Sequence, residues 1–243
     1  MLLHGGLIGA SGVAVGAGSS PAFDLTAGGI TFAYVSDFNT NTTISGNVPA
    51  NVVDGNLMLA FALSGAFPDN PASITNPAGW TSIILETGVN GLYFRPYSLS
   101  YRVANSEPAS YSWTVTSGTT DDAVAIIRVT GANTSSPISG TPVVDHHFTT
   151  TPTSPSVTTA HADALAVFGF CVNGGWSLNA EDAGYPSGTS GVFARRSRQH
   201  SSGVVFALAT QVIASAGATG SKAWGALTES TESDEFSFAI RPA

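Results

Sequence analysis

The sequence predicts an all-β protein, an antiparallel β-sandwich that is jelly-roll-like. Short apolar runs recur along the chain, for example at residues 57–63 and 123–129, and Gly, Pro, Asn, Asp or Ser bounds each of them. Other segments, such as residues 30–35, alternate between apolar and polar side chains, which is typical of half-buried strands. No segment has a convincing helical pattern, and no heptad stretch predicts a coiled coil.

The order of predicted strands occurs twice, which indicates two similar half-repeats, at about residues 53–131 and 157–242. Residues 163–170 echo residues 54–61, including the apolar run that follows a turn signal. Because a jelly roll consists of two intertwined halves around one core, we expect a single domain over residues 30–243. Two tandem small sandwiches are the alternative.

The composition restricts the function classes. Only 10% of the residues are charged and Lys222 is the one lysine, so Ser, Thr, Asn and Gly must cover most of the surface. Such a surface is typical of extracellular or virion proteins and of dense subunit packing, and is unusual for a free cytosolic enzyme. A net charge of −8 argues against nucleic acid and anionic membranes as partners.

Residues 1–29 are rich in Gly and predict an extended N-terminal arm. No Lys or Arg precedes Arg95, whereas a signal peptide would need a basic N-terminal region. Glycines interrupt any membrane-spanning helix, so we expect no membrane insertion. We expect the arm to dock on a neighbouring subunit or a larger assembly; an arm folded back on its own domain is the alternative. Its apolar contacts would come from Leu2, Leu3, Leu7, Ile8, Val13 and Val15.

A set of motifs carries a family resemblance. In chain order they occupy residues 54–60, 77–81, 100–104, 107–114 and 239–242. Together they resemble a recurring all-β module of structural proteins of tailed bacteriophages and of bacterial surface proteins, over about residues 30–242. The resemblance implies a virion or surface role, and it brings no catalytic residues and no cofactor.

The resulting expectation is a non-enzymatic structural protein of a tailed-phage virion, either a capsid decoration or a fibre or tail accessory. The arm would anchor it to capsid or tail proteins, and the sandwich would face outward on the virion surface. A homo-oligomer is expected, with a homotrimer favoured because that arrangement is common among fibre and decoration proteins.

Two other functions remain open. In a carbohydrate-binding module for host glycans, Trp80, Trp176, Tyr93 and Tyr97 would form stacking platforms, although Trp80 is favoured as a core or rim aromatic residue. In a surface glycosidase, paired carboxylates would be needed, and Glu86 and Glu107 are the candidates.

Titratable residues give few other leads. Cys171 lies in an apolar run, which predicts a buried, inert thiol. His146 and His147 are adjacent on a predicted strand, so they should point to opposite faces and cannot chelate one metal ion together. We interpret the acidic groups at residues 121–122, 181–182 and 232–235 as solvated loop charges and expect no metal site.

Overall fold

The structure is a computed structural model, and it describes most of the chain in several stretches. The described residues are 23, 30–36, 43–64, 73–87, 96–116, 121–173, 184–196, 204–228 and 230–243. Of the predicted arm, residue Phe23 alone is described, and its side chain packs partly buried against the central core. The six apolar residues proposed for the arm lie outside the described residues.

Seventeen strands and no helix form within the described residues. In chain order the strands are β1 (Ile30–Ser36), β2 (Thr43–Asn47), β3 (Leu57–Ser64), β4 (Ser73–Thr75), β5 (Thr81–Glu86), β6 (Tyr97–Val103), β7 (Ser110–Thr116), β8 (Asp121–Val129), β9 (Val143–Thr149), β10 (Thr153–Ser154), β11 (Thr158–Thr159), β12 (Ala164–Asn173), β13 (Ser190–Arg196), β14 (Val204–Ile213), β15 (Gly217–Ala218), β16 (Lys222–Ala223) and β17 (Thr231–Ile240). The all-β prediction is therefore confirmed. In the described stretches, no helix is long and apolar enough to cross a bilayer.

All paired strands are antiparallel and lie in two large and three small sheets. The large sheets have the orders β1-β8-β3-β6-β5 and β13-β14-β12-β17-β9. A three-stranded sheet has the order β2-β7-β4, and two short ladders pair β10 with β16 and β11 with β15. Among the described strands, every pairing joins two strands before residue 130 or two strands after residue 142.

The two five-stranded sheets pack face to face and share one apolar core. Phe61 of β3 is at its centre, with ring centroids 5.2 Å from Phe206 and 5.4 Å from Phe236 of the facing sheet. Tyr97 of β6 joins this group, 5.9 Å from Phe61 and edge-on to it. The two parts of the chain therefore make separate hydrogen-bonded sheets but bury one common interior.

Each five-stranded sheet is also covered on its outer face. The sheet β2-β7-β4 packs on the outer face of β3 and β8 and buries Trp113 and Ile126. The segment with the short ladders covers β12 and β14 and buries Trp224 and Phe168. The molecule consequently has four layers, a number that the sequence left open.

Strand burial follows from this layering. Every residue of β3 is buried, because both of its faces are covered, while β7 in an outer layer alternates between buried and exposed residues. The continuous apolar runs of the sequence are thus strands buried on both faces.

Candidate functional site

Three of the motif segments that carry the resemblance meet in one cluster at the end of β6. We call it the Arg102 clamp and define it by Gly79, Trp80, Arg102, Glu107 and Tyr111. Arg102 lies at the end of β6, Tyr111 lies in β7, and the other three occupy turns and loops between strands. The guanidinium carbon of Arg102 lies 5.5 Å from the centroid of the Tyr111 ring. Segments far apart in sequence are thereby tied together.

Glu107 is the centre of the clamp. Arg102 Nε lies 3.0 Å from each carboxylate oxygen, and the backbone N–H of Asn105 donates to Oε1 at 2.7 Å. The Tyr111 hydroxyl donates to Oε2. Burial acts to raise the pKa of Glu107, but the hydrogen bonds from Tyr111, Asn105 and Arg102 outweigh it and lower the pKa.

The pKa of Tyr111 is shifted upward, in the opposite direction to that of Glu107. Burial and the hydrogen bond to Glu107 raise the pKa of Tyr111 to about 12, so its proton is held. Both carboxylate oxygens of Glu107 thus accept hydrogen bonds from this chain. The arrangement fixes the carboxylate as a structural anion.

The two candidate carboxylates of the glycosidase hypothesis do not come together. Glu86 is paired with Tyr97 at one end of β6, and Glu107 binds Arg102 near the other end. Arg102 lies five positions beyond Tyr97 along the extended strand, a distance of about 17 Å. Glycosidase carboxylates are about 5–9.5 Å apart, so these two residues do not form such a pair.

Two of the four proposed sugar-stacking rings are buried. Trp80 is 8% exposed and makes edge contacts with Tyr111 and Trp113, which agrees with its interpretation as a core aromatic residue. Tyr97 is fully buried in the central core, and burial raises the pKa of its hydroxyl well above the usual value. Neither ring offers a face to a ligand in this conformation. Trp176 and Tyr93 lie outside the described residues.

The position of Gly79 gives a test of the clamp. Gly79 has φ +83°, and a methyl group built on it would overlap Arg102 Nη1, whereas Gly55 has φ +85° and open space around it. Gly55→Ala should lower the free energy of unfolding by about 1 kcal/mol, since it introduces backbone strain alone. Gly79→Ala should cost about 2–4 kcal/mol, because the guanidinium must also leave Glu107.

Urea unfolding of both variants measures this difference. Gly55→Ala serves as the matched control, since it shares the left-handed backbone conformation. Equal losses in the two variants would show that the contact between Gly79 and Arg102 contributes nothing to stability.

A second group of titratable side chains lies along β9 at the edge of its sheet. His146 Nδ1 lies 2.5 Å from Asp234 Oδ1, and His147 Nδ1 lies 3.1 Å from Glu235 Oε2. Both carboxylates are on β17 and are buried, while the two imidazoles are partly exposed. The histidines bind successive residues of β17, in line with the prediction that they point to opposite faces of the strand.

The acidic residues of β17 lie in a strand and two of them are buried, contrary to the prediction from sequence. Residues 232–235 were interpreted as solvated loop charge, but β17 begins at Thr231, and Asp234 and Glu235 are 3% and 0% exposed. Asp122, also assigned to a loop, is buried in β8. These assignments were wrong because the partners that bury the acids are on other strands. Residues 181–182 lie outside the described residues.

Burial and pairing change the titration of this group. The hydrogen bond to Asp234 raises the pKa of His146 against the opposing effect of burial, and Glu86 and Asp145 add to the rise. Burial raises the pKa of Glu235, although its hydrogen bond to His147 acts in the opposite direction. Both groups therefore bind protons more tightly in the folded state than in the unfolded chain.

We expect stability to fall as the pH rises through this range. His146 stabilises the fold fully below its unfolded pKa of about 6.5, and this contribution is lost as the pH rises through its higher folded pKa. For Glu235 the loss begins near its unfolded pKa of about 4.3, by the same sign. Urea midpoints measured from about pH 5 to 8 should decline in the wild type.

The variants His146→Asn and Glu235→Gln separate these two contributions. Each should flatten its own part of the decline, and nuclear magnetic resonance titration of His146 should give a pKa above the unfolded value. A His146 pKa below that value would contradict the assignment.

Cys171 is a buried free thiol, as predicted. Its Sγ lies 3.9 Å from Asp234 Oδ2 inside the central core. Among the residues that the structure describes, no three His, Cys, Asp or Glu side chains form a group that could hold a metal ion.

A hydroxyl-rich groove of about 460 Å³ lies beside the start of β9. Its lining residues are Gly140, Thr141, Val143, Ser156, Thr158, Thr159 and Ala160. No charged or aromatic side chain is among them, so the groove lacks the stacking surface that a sugar site uses.

Comparison of the chain with models of known protein families, with curated proteins and with solved structures finds no match. The fold defines a class nonetheless: an all-β protein of antiparallel sheets, consistent with a β-sandwich.

Proposed function

We propose that this chain is a non-enzymatic structural protein of a tailed-phage virion, a capsid decoration or a fibre or tail accessory. The residues of the resemblance support this proposal through the role they have in the fold. Trp80, Arg102, Glu107 and Tyr111 belong to three of its motifs, and in the Arg102 clamp each contacts another member of the set. The motif residues thus stabilise the fold and form no reaction site, which supports a structural role in an assembly.

We further propose that the sandwich is jelly-roll-like and duplicated. In the first part of the chain, β1 pairs with β8 and β3 with β6, while β2 pairs with β7 in the covering sheet, and these pairings support a jelly-roll wrapping. The second large sheet, taken as β9-β17-β12-β14-β13, has the same order as β1-β8-β3-β6-β5. In this scheme β13 corresponds to β5, and β14 corresponds to β6.

In this proposal residues 1–29 attach the protein to capsid or tail proteins, and the sandwich faces outward on the virion surface. The low charge and the uncharged polar surface suit dense packing of subunits. The partners are other virion proteins and further copies of this chain.

Cosedimentation with particles that lack the protein tests the proposal. Full-length protein should bind, and a variant without residues 2–20 should fold but remain in the supernatant. A matched control replaces the six apolar arm residues by Ser at constant length, and it should also fail to bind. If full-length protein does not sediment with any particle fraction, the attachment role is excluded.

A further inference from the structure

The edge strand β9 is exposed in a way that points to a partner. Phe148 is 72% exposed, more than any other large apolar side chain among the described residues. The register of β9 against β17 runs over seven consecutive pairs without a shift. A regular edge strand with an exposed aromatic side chain is a template for pairing with another strand.

The other edges of the two large sheets are less suited to pairing. The registers of β5 and β13 each shift, between Ser82 and Ile84 and between Gly191 and Phe193, and such bulges disturb an edge. Next to β1, the hydroxyl of Thr31 donates to the carbonyl of Asn47, so β2 borders that edge. Among the described strands, β9 is the regular edge of the large sheets.

The backbone direction of β9 follows from one hydrogen bond. The N–H of His146 donates to Asp145 Oδ1 at 2.9 Å, so it points away from β17. In an antiparallel ladder the N–H and C=O of one residue point to the same side, and the side alternates along the strand. Val144 and Phe148 consequently direct their backbone groups outward as well.

The sequence of β9 is complementary to itself in one antiparallel register. With His146 at the centre, Val144 faces Phe148 and Asp145 faces His147 of the second copy, which gives an apolar pair and a carboxylate opposite an imidazole. Asp145 and His147 are about half exposed and thus accessible. Centring on His147 instead would place His146 opposite Phe148 and Asp145 opposite Thr149, and both favourable pairs would be lost.

We propose that β9 pairs antiparallel with β9 of a second copy around a two-fold axis at His146. The two sheets then become one continuous sheet, with hydrogen bonds from Val144, His146 and Phe148 across the axis. Asp145 exchanges its bond to the His146 amide for a contact with His147 of the second copy. This inference rests on the proposed assembly role, for which it assigns β9 as the contact surface between copies. It predicts a two-fold dimer in place of the homotrimer expected for fibre and decoration proteins.

Light scattering of the free protein over a range of concentrations tests the proposal. The wild type should be a dimer, and Phe148→Lys should be a monomer at concentrations where the wild type is fully dimeric. Val212→Lys is the matched control, since Val212 is also an exposed apolar strand residue, at 51%. A wild type that is a monomer or a trimer, or a dimer that survives Phe148→Lys, would overturn the proposal.

Cysteine crosslinking tests the register. Val144 and Phe148 of the second copy form a hydrogen-bonded pair with Cα atoms about 5.5 Å apart, within the disulfide range. A mixture of Val144→Cys and Phe148→Cys should crosslink, whereas Phe148→Cys alone should not, because those positions are about 14 Å apart. Cys171 is buried and should not react. Equal crosslinking of Phe148→Cys alone would exclude this register.

The protein lacking residues 2–20 separates this proposal from the attachment role. It should remain a dimer even though it no longer binds particles. If it is a monomer, dimerisation depends on the arm and the pairing of β9 with itself is excluded.

Discussion

Phe61→Ala is expected to lower the free energy of unfolding by about 3–5 kcal/mol, the usual cost of removing a fully buried Phe side chain. Phe61 is 1% exposed and contacts Tyr97 of its own sheet and Phe206 and Phe236 of the facing sheet. The substitution leaves a cavity that both sheets line. Urea unfolding followed by tryptophan fluorescence and circular dichroism measures the loss.

The shared core also predicts how the variant unfolds. Because the two large sheets bury one interior, both probes should report a single coincident transition in the wild type and in the variant. Phe148→Ala is the matched control, and at concentrations where the protein is a monomer it should change stability by about 0.5 kcal/mol or less. Two separate transitions, or equal losses in the two variants, would contradict a common core.

Glu107→Ala is expected to lower the free energy of unfolding by about 2–3 kcal/mol, since hydrogen bonds to charged groups contribute about 1.5–3 kcal/mol. The change leaves Arg102 and the Tyr111 hydroxyl without their common acceptor. Glu107→Gln keeps an oxygen acceptor but removes the charge, so its loss should be smaller. Urea midpoints near pH 7 give both values.

The pH dependence of Glu107 has the opposite sign to that of His146 and Glu235. The folded pKa of Glu107 is lowered, so its contribution is present above the unfolded value of about 4.3 and is lost as the pH falls through the folded value. The stability difference between wild type and Glu107→Gln should therefore shrink on acidification below about pH 5. A difference that stays constant down to pH 2 would show that Glu107 is not an ionised anchor.

The residues predicted for chemistry differ in how far the sequence could place them. Cys171 was expected to be buried because it lies within an apolar run, Trp80 was expected as a core or rim aromatic residue, and both are buried. The acids of β17 were misplaced, because their charge suggested solvent while their burial depends on β9 and β12. Residues 232–235 directly precede the alternating segment 236–240. This continuity was the signal that could have predicted an earlier start of β17.

The layering shows the same limit. Residues 57–63 and 164–172 form continuous apolar runs, and such runs indicate strands that are buried on both faces. That signal was present in the sequence, but it did not predict how many layers the sheets form. The outer layers were harder to predict, because β10, β11, β15 and β16 have two residues each and no apolar periodicity.

Local sequence patterns were enough to predict that this chain forms antiparallel strands, because turn residues and apolar runs act over a few neighbouring positions. The sequence also determined that His146 and His147 point to opposite faces, since alternation is a property of a single strand. The tertiary structure decided which faces meet, which acids are buried and which edge remains open. These features depend on partners distant in the chain, such as Asp234 beneath His146, and local sequence patterns do not specify such partners.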